Sequence, residues 1–274
     1  MAWVEASDGV QLYAEAHGAG VPLIFSGAFC TTHENWRGQV EPLVAVGARV
    51  ILWDFRGHGE SGAPEDPAHF NIDQVVDDLG RVLDWASPGE PAVLAGLSFG
   101  GLASLHFAHR HASRVRALVL VGSGPGFKKP EAQARWEKQV ARTGEILETK
   151  GLAAFVAGRA GATTIGRRPE LPAARAAAAA IVVQNARNLA EFGRRVAGPA
   201  PTVIDALAAI TAPALVLVGE QDEAYQRAAD VMVAKLPRAT LTRIPEAGHI
   251  VNIEAEASFN LHVATFLKSL GVAP

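Results

Sequence analysis

Short apolar runs rich in β-branched residues recur along the chain at 21–26, 49–54, 92–97, 115–121 and 214–218, and most of them lack strict alternation. Strands that are apolar on both faces are those of a parallel sheet covered on both sides by helices. Between them lie stretches with helical spacing at 35–46, 72–86, 100–111, 225–236 and 254–270. Strand then helix, repeated, predicts an α/β fold with right-handed crossovers. The start is different: 3–7 and 11–15 alternate around Asp8-Gly9, which predicts an antiparallel hairpin at the edge of a mostly parallel sheet. From about 124 to 209 the rhythm breaks into an Ala-, Arg- and Glu-rich segment without a strand, with helical stretches at 131–149 and 172–195. The pattern therefore predicts one core domain made of 1–123 and 210–274, interrupted by a helical cap at 124–209.

Composition narrows the partners. The 274 residues are 49% hydrophobic, enough for a large core, and 25 Lys and Arg stand against 28 Asp and Glu, a net charge of −3. No basic run tracks a phosphate backbone, so nucleic acid is excluded as the expected partner. Glu5 and Asp8 interrupt the first ten residues where a secretory signal needs an apolar stretch, and no apolar run is long enough to span a bilayer. The single cysteine, Cys30, can form neither an internal disulfide nor a cysteine metal site, and reads as a small buried hydrophobe. A cytoplasmic monomer or homodimer without metal or organic cofactor is the expectation.

Candidate chemistry centres on Gly96-Leu97-Ser98-Phe99-Gly100, which follows an apolar strand and opens a helix. This is G-x-S-x-G in strand, turn, helix context. Glycines two residues either side of the serine let strand and helix approach, and the hydroxyl is lifted to the helix N-terminus, where negative charge is favoured. A serine hydroxyl is a weak nucleophile and needs a base with an orienting acid. His249, after the apolar run 240–244, is the base candidate, and Asp222, just past the strand at 214–218, is the acid candidate. Glu220 and Glu223 flank Asp222 and remain alternatives. Loops at the carboxyl ends of strands in an open sheet converge on one edge, so Ser98, Asp222 and His249 can meet there. Among the other histidines, His33 and His58 are candidates to approach the site, whereas His106, His109 and His111 read as helix surface or core.

With Asp54-Phe55-Arg56-Gly57-His58-Gly59-Glu60-Ser61, Gly219-Glu220-Gln221-Asp222 and Ala247-Gly248-His249 added to the elbow at 96–101, the chain resembles the α/β-hydrolase superfamily over nearly its whole length. Within it, the elbow, the 249–254 segment and the 136–155 segment resemble capped serine esterases and 3-oxoadipate enol-lactonase-like hydrolases. The resemblance implies an α/β-hydrolase fold with a helical cap, and it implies an oxyanion hole from the backbone N–H groups of Ala28 and Phe99. Here Ser26-Gly27-Ala28 stands where the family usually has a His-Gly pair. Asp54 and Arg56 match positions the family uses in a structural turn. Ser26, Phe127, Trp136 and Phe155 are the candidate pocket residues.

These readings converge on a serine hydrolase of small carboxylic esters or lactones acting through an acyl-Ser98 intermediate, of the carboxylesterase and lactonase class. Dehalogenase and epoxide hydrolase chemistry needs a carboxylate at the elbow, and Ser98 does not supply one. Carbon–carbon bond hydrolysis and cofactor-free lyase or perhydrolase chemistry use the same triad and stay open. A rival of another class is a ligand receptor whose cap is read by a partner, because fold alone does not fix function. Turnover of an ester panel separates the two.

Overall fold

The computed structural model describes residues 1–272. Eight strands form one sheet: β1 (Ala2–Glu5), β2 (Gln11–His17), β3 (Val21–Ser26), β4 (Ala48–Trp53), β5 (Ala92–Leu97), β6 (Val115–Val121), β7 (Ala214–Gly219) and β8 (Ala239–Ile244). Their order is β1-β2-β4-β3-β5-β6-β7-β8. β2 runs antiparallel to both β1 and β4, and every other neighbouring pair is parallel. Gly9, at φ 85°, turns the hairpin where the sequence placed it.

The apolar runs bury both faces as their composition requires. Ile24, Ile51, Leu94, Leu118 and Val216 point to one layer, packed with α2 (Ile72–Ala86), α3 (Phe99–Arg110) and α7 (Glu223–Lys235). Leu23, Val50, Val93, Val119 and Leu215, each one residue away, point to the other, where α1 (Arg37–Val44) and α9 (Glu256–Ser269) lie. From β3 the chain first adds β4 on one side and then returns to add β5 on the other. The order therefore reverses at β3 and β5, the switch point whose carboxyl ends are where open α/β sheets bind ligands.

Between β6 and β7 the chain leaves the sheet for a helical insertion, α4 (Pro130–Ala157), α5 (Pro172–Val182) and α6 (Ala186–Phe192). The sequence pattern predicts one helix over 172–195, whereas the chain breaks after Val182. Asn185 causes the restart: its side chain accepts from the N–H groups of Arg187 and Asn188 and caps α6. A single π-helical turn, Gly193–Ala197, follows. The last predicted helix, over 254–270, is α9, and a separate short helix, α8 (Val251–Glu254), precedes it and is parted from it by Ala255 at φ −137°. No helix of the described residues is long and apolar enough to cross a membrane.

Candidate active site

Ser98 occupies the turn from β5 into α3 at φ 54° and ψ −113°, a conformation that costs an L-residue free energy. Its surroundings hold it there. A side chain at Gly96 would collide with the backbone of Gly100 and Gly101, and one at Gly100 would collide with the carbonyls of Ser26 and Gly27. These glycines let strand, helix and the loop after β3 close on one another. The Ser98 N–H donates to the Val121 carbonyl at 2.8 Å, and Ser123 Oγ donates to the Ser98 carbonyl at 2.7 Å. The same close packing brings Ala28, just past Gly27, towards the first turn of α3. Among the described residues the N–H groups of Ala28 and Phe99 have no backbone acceptor, and the second is one of the orphan donors every helix start leaves.

His249 arrives on the loop after β8, with Nδ1 2.8 Å from Asp222 Oδ2. An ionised carboxylate only accepts, so Nδ1 carries the ring proton and Nε2 keeps a free lone pair. Asp222 is 7% exposed and His249 9%, whereas Glu220 and Glu223 lie in solvent. The pair is therefore Asp222 with His249. Two residues that sequence reasoning missed shape it. Gly122, at φ 46°, ends β6 so close that a Cβ there would stand 3.1 Å from His249 Nδ1 and 3.2 Å from Asp222 Oδ2. Glu254, buried in α8, accepts the N–H of Gly248 at 3.0 Å and of Ile250 at 3.2 Å, gripping the loop on both sides of the histidine. A glycine ending an apolar strand and an acid in a short apolar stretch were the available signals.

Tyr225, on the first turn of α7, was also missed. Its hydroxyl lies 3.3 Å from Ser98 Oγ, and its ring stacks on the His249 imidazole with centroids 4.8 Å apart. No hydrogen bond joins Ser98 to His249 among the described residues. Catalytic hydrogen bonds are often loose before substrate binds.

Beside the elbow lies an aromatic wall. Phe192, fully buried at the end of α6, meets Phe99 at 5.2 Å, Phe55 at 5.8 Å and His58 at 4.5 Å, with Phe29 completing the group at 6.1 Å. Of the sequence-derived pocket residues, Ser26 sits against the elbow, paired with Gly96, whereas Phe127, Trp136 and Phe155 pack within the segment after β6. Ser26 Oγ accepts from the Trp53 indole at 3.1 Å. Phe127 is 43% exposed against Trp136, whose indole donates to the Ala197 carbonyl. Phe155 is buried in the cluster that holds Leu147, Leu152 and Leu189. Each of these has a packing or hydrogen-bonding partner of its own, and Tyr225 is the side chain whose hydroxyl meets Ser98, with Phe192 one contact further out against Phe99.

The motif at 54–61 is a buried polar scaffold. Arg56 forms a two-pronged ion pair with Asp78 at 2.6 and 2.7 Å and reaches Asp8 at 2.7 Å. Asp54 binds the His33 ring at 2.7 Å and the Glu60 N–H at 3.0 Å. Burial opposes protonation of His33, but the Asp54 carboxylate outweighs it and raises the histidine above its ordinary value. Burial pushes His58 the other way, down to about 4. Cys30, buried at φ 70°, donates its N–H to His58 Nε2, and burial holds its thiol protonated. Among the described residues no group of three or more His, Cys, Asp or Glu is placed to hold a metal.

Residues 21–256 match the family model of the alpha/beta hydrolase fold. The chain belongs to that family. The hydrolase is 27% identical over 276 residues, 97% of its own chain and 98% of the relative, to a Bacillus subtilis (strain 168) protein named as a 2-succinyl-6-hydroxy-2,4-cyclohexadiene-1-carboxylate synthase. It is 45% identical over 118 residues to the 2-hydroxymuconate semialdehyde hydrolase of Pseudomonas sp. (strain CF600), a match spanning 42% of this chain and 41% of that one. Among solved structures it superposes on the enol-lactonase from Burkholderia xenovorans LB400 with a TM-score of 0.83 at 24% identity, covering 97% of this chain and 100% of the lactonase. That likeness is one of fold.

Proposed function

We propose that the protein is a serine hydrolase that cleaves carboxylic esters or lactones of small molecules through an acyl-Ser98 intermediate. One observation carries the reading: a serine held at φ 54° on the elbow, on the same sheet edge as a histidine whose Nδ1 is committed to Asp222 at 2.8 Å. In the first step Ser98 Oγ bonds to the carbonyl carbon as its proton passes to His249 Nε2. The carbonyl π pair moves onto oxygen, where the N–H groups of Ala28 and Phe99 receive the charge. Collapse breaks the bond to the alcohol oxygen, which takes the proton from His249. Water then attacks the acyl carbon, its proton going to His249 and then to the departing Ser98 Oγ. Asp222 keeps the ring in the productive tautomer throughout. Residues 124–209 serve as the cap, and its Phe192 walls the pocket.

Carbon–carbon bond hydrolysis is the second reading, favoured by the 45% identity over 118 residues to the semialdehyde hydrolase. The test starts with a fluorophosphonate, which traps an activated serine whatever the substrate. Mass spectrometry with peptide mapping is expected to find one adduct on Ser98 that disappears in Ser98→Ala and His249→Ala. A folded wild-type protein without the adduct refutes the proposal. Turnover of esters, lactones and vinylogous diketones then decides between the two readings.

A further inference from the structure

The hydroxyl that should face His249 faces Tyr225 instead. Ser98 Oγ and Tyr225 Oη are 3.3 Å apart, while stacking on His249 at 24° between ring planes fixes where the phenol can point. The phenol stays protonated: burial raises it above its ordinary value, outweighing the opposing hydrogen bond to Ser98, and the nearby Asp222 charge adds a smaller push in the same direction as burial. It is thus a neutral O–H donor at working pH, standing beside the nucleophile from the side of α7.

Attack changes its partner. The Ser98 proton must go to His249 Nε2 and an Oγ lone pair must go to the acyl carbon, which turns Oγ into an ester-type oxygen and a poorer acceptor, so the Ser98 to Tyr225 hydrogen bond weakens. Tyr225 is half-buried, and once substrate covers it an O–H whose acceptor has weakened gains by turning to a better one, an oxygen on the incoming substrate. The Ala28 and Phe99 N–H groups already receive the oxygen of the scissile carbonyl, so the acceptor for Tyr225 is a different atom.

We infer that Tyr225 is a specificity-determining residue that donates its hydroxyl to a second oxygen of the acyl group, close to the scissile carbonyl, such as a keto, enol or hydroxyl oxygen. The preferred substrates are oxygen-substituted acyl compounds, and simple alkanoates are the poorer ones. This inference rests on the acyl-Ser98 reading and narrows its substrate class.

A matched pair of probes tests it: the 4-nitrophenyl ester of a short 3-oxo acid and that of the corresponding alkanoic acid, assayed with wild-type protein and Tyr225→Phe. The phenylalanine keeps the ring that stacks on His249 and removes only the donor. The kcat/KM ratio of the 3-oxo ester to the alkanoate is expected to fall about tenfold in the variant, the size of one hydrogen bond to a neutral group. A ratio that stays within twofold overturns the inference, because a merely structural role would lower both esters together. Fluorophosphonate labelling of both proteins separates the two levels. An adduct on Ser98 in both with an unchanged ratio refutes the role of Tyr225 alone, whereas no adduct in folded wild-type protein refutes the reading beneath it.

Discussion

His58 makes the fold sensitive to mild acid. Its imidazole is enclosed by Phe29, Phe55 and Phe192, and its Nε2 must remain an acceptor because the Cys30 N–H points at it from 3.2 Å. Its Nδ1 faces the Arg56 carbonyl at 3.3 Å, so the neutral tautomer satisfies both contacts and a second proton would oppose the Cys30 N–H. Burial is the main cause of the shift to about 4, with the Arg56 carbonyl and the Asp54 charge pulling weakly in the other direction. In the unfolded chain the ring titrates near its ordinary value of about 6.5. Between those two values the unfolded chain binds a proton that the folded protein does not. Stability therefore falls as pH drops through this window. Linkage places the loss at about 2 kcal/mol by pH 5 and about 3 kcal/mol by pH 4.

Urea denaturation from pH 7 to pH 4 measures it, with His58→Gln as the reference because glutamine offers an acceptor and does not titrate. Other groups contribute to the same curves. His33, raised by Asp54, adds stability that is present at low pH and is lost as pH climbs through its higher folded value. Present in both proteins, it cancels in the difference. Wild type is expected to lose about 2 kcal/mol more than His58→Gln between pH 7 and pH 5. Parallel profiles would show that the ring is protonated in the folded state and that the enclosed-acceptor reasoning is wrong.

The loop and strand end around His249 make two further predictions. Glu254→Gln leaves one oxygen for two N–H donors and removes the charge, so it should cost about 1–2 kcal/mol in a denaturation experiment and slow fluorophosphonate labelling of Ser98 about tenfold. An unchanged labelling rate would mean that Glu254 supports the fold without aiming the histidine. Gly122→Ala puts a methyl group against the Asp222 to His249 bond at a left-handed φ, at a cost of about 1–2 kcal/mol. Labelling should slow while the far-ultraviolet circular dichroism is preserved, and a variant that labels at the wild-type rate contradicts the contact.

What the sequence made legible is what depends on local pattern. Runs apolar on both faces announced buried parallel strands, and the glycines around Ser98 announced an elbow, since the steric demand is met within five residues. Asp222 was separable from Glu220 and Glu223 only through the sheet edge, where one carboxylate is buried against His249 and two lie in solvent. The helix over 172–195 was misread because alanine propensity carries across Val183 and Gln184, while the capping of the next turn by Asn185 competes with it. Phe127 and Trp136 gave no sign that they would pair on the outside of the insertion, because helical spacing records that a residue faces something and not what it faces. Tyr225 and Gly122 act through partners far off in the chain, whereas Glu254 acts within its own loop, on the N–H groups of Gly248 and Ile250. The meaning of the first two exists only after the strands are ordered.

That division bears on how such a site becomes selective. On the proposed reading, the parts that run acyl transfer follow short-range rules: a tight serine turn, two backbone N–H groups and a histidine held by an acid. They are indifferent to what lies beyond the carbonyl. On the same proposal, the side chains that meet the rest of the substrate come from elements docked across the sheet edge, Tyr225 from the start of α7 and Phe192 from the end of α6. Phe192 packs against Phe99, whose own N–H lies next to the nucleophile, while Gly166, Arg167 and Arg168 of the insertion pack against Glu254 and Gly248 beside His249. On that proposal selectivity rests on the insertion and α7, which can vary in sequence while the elbow stays as it is.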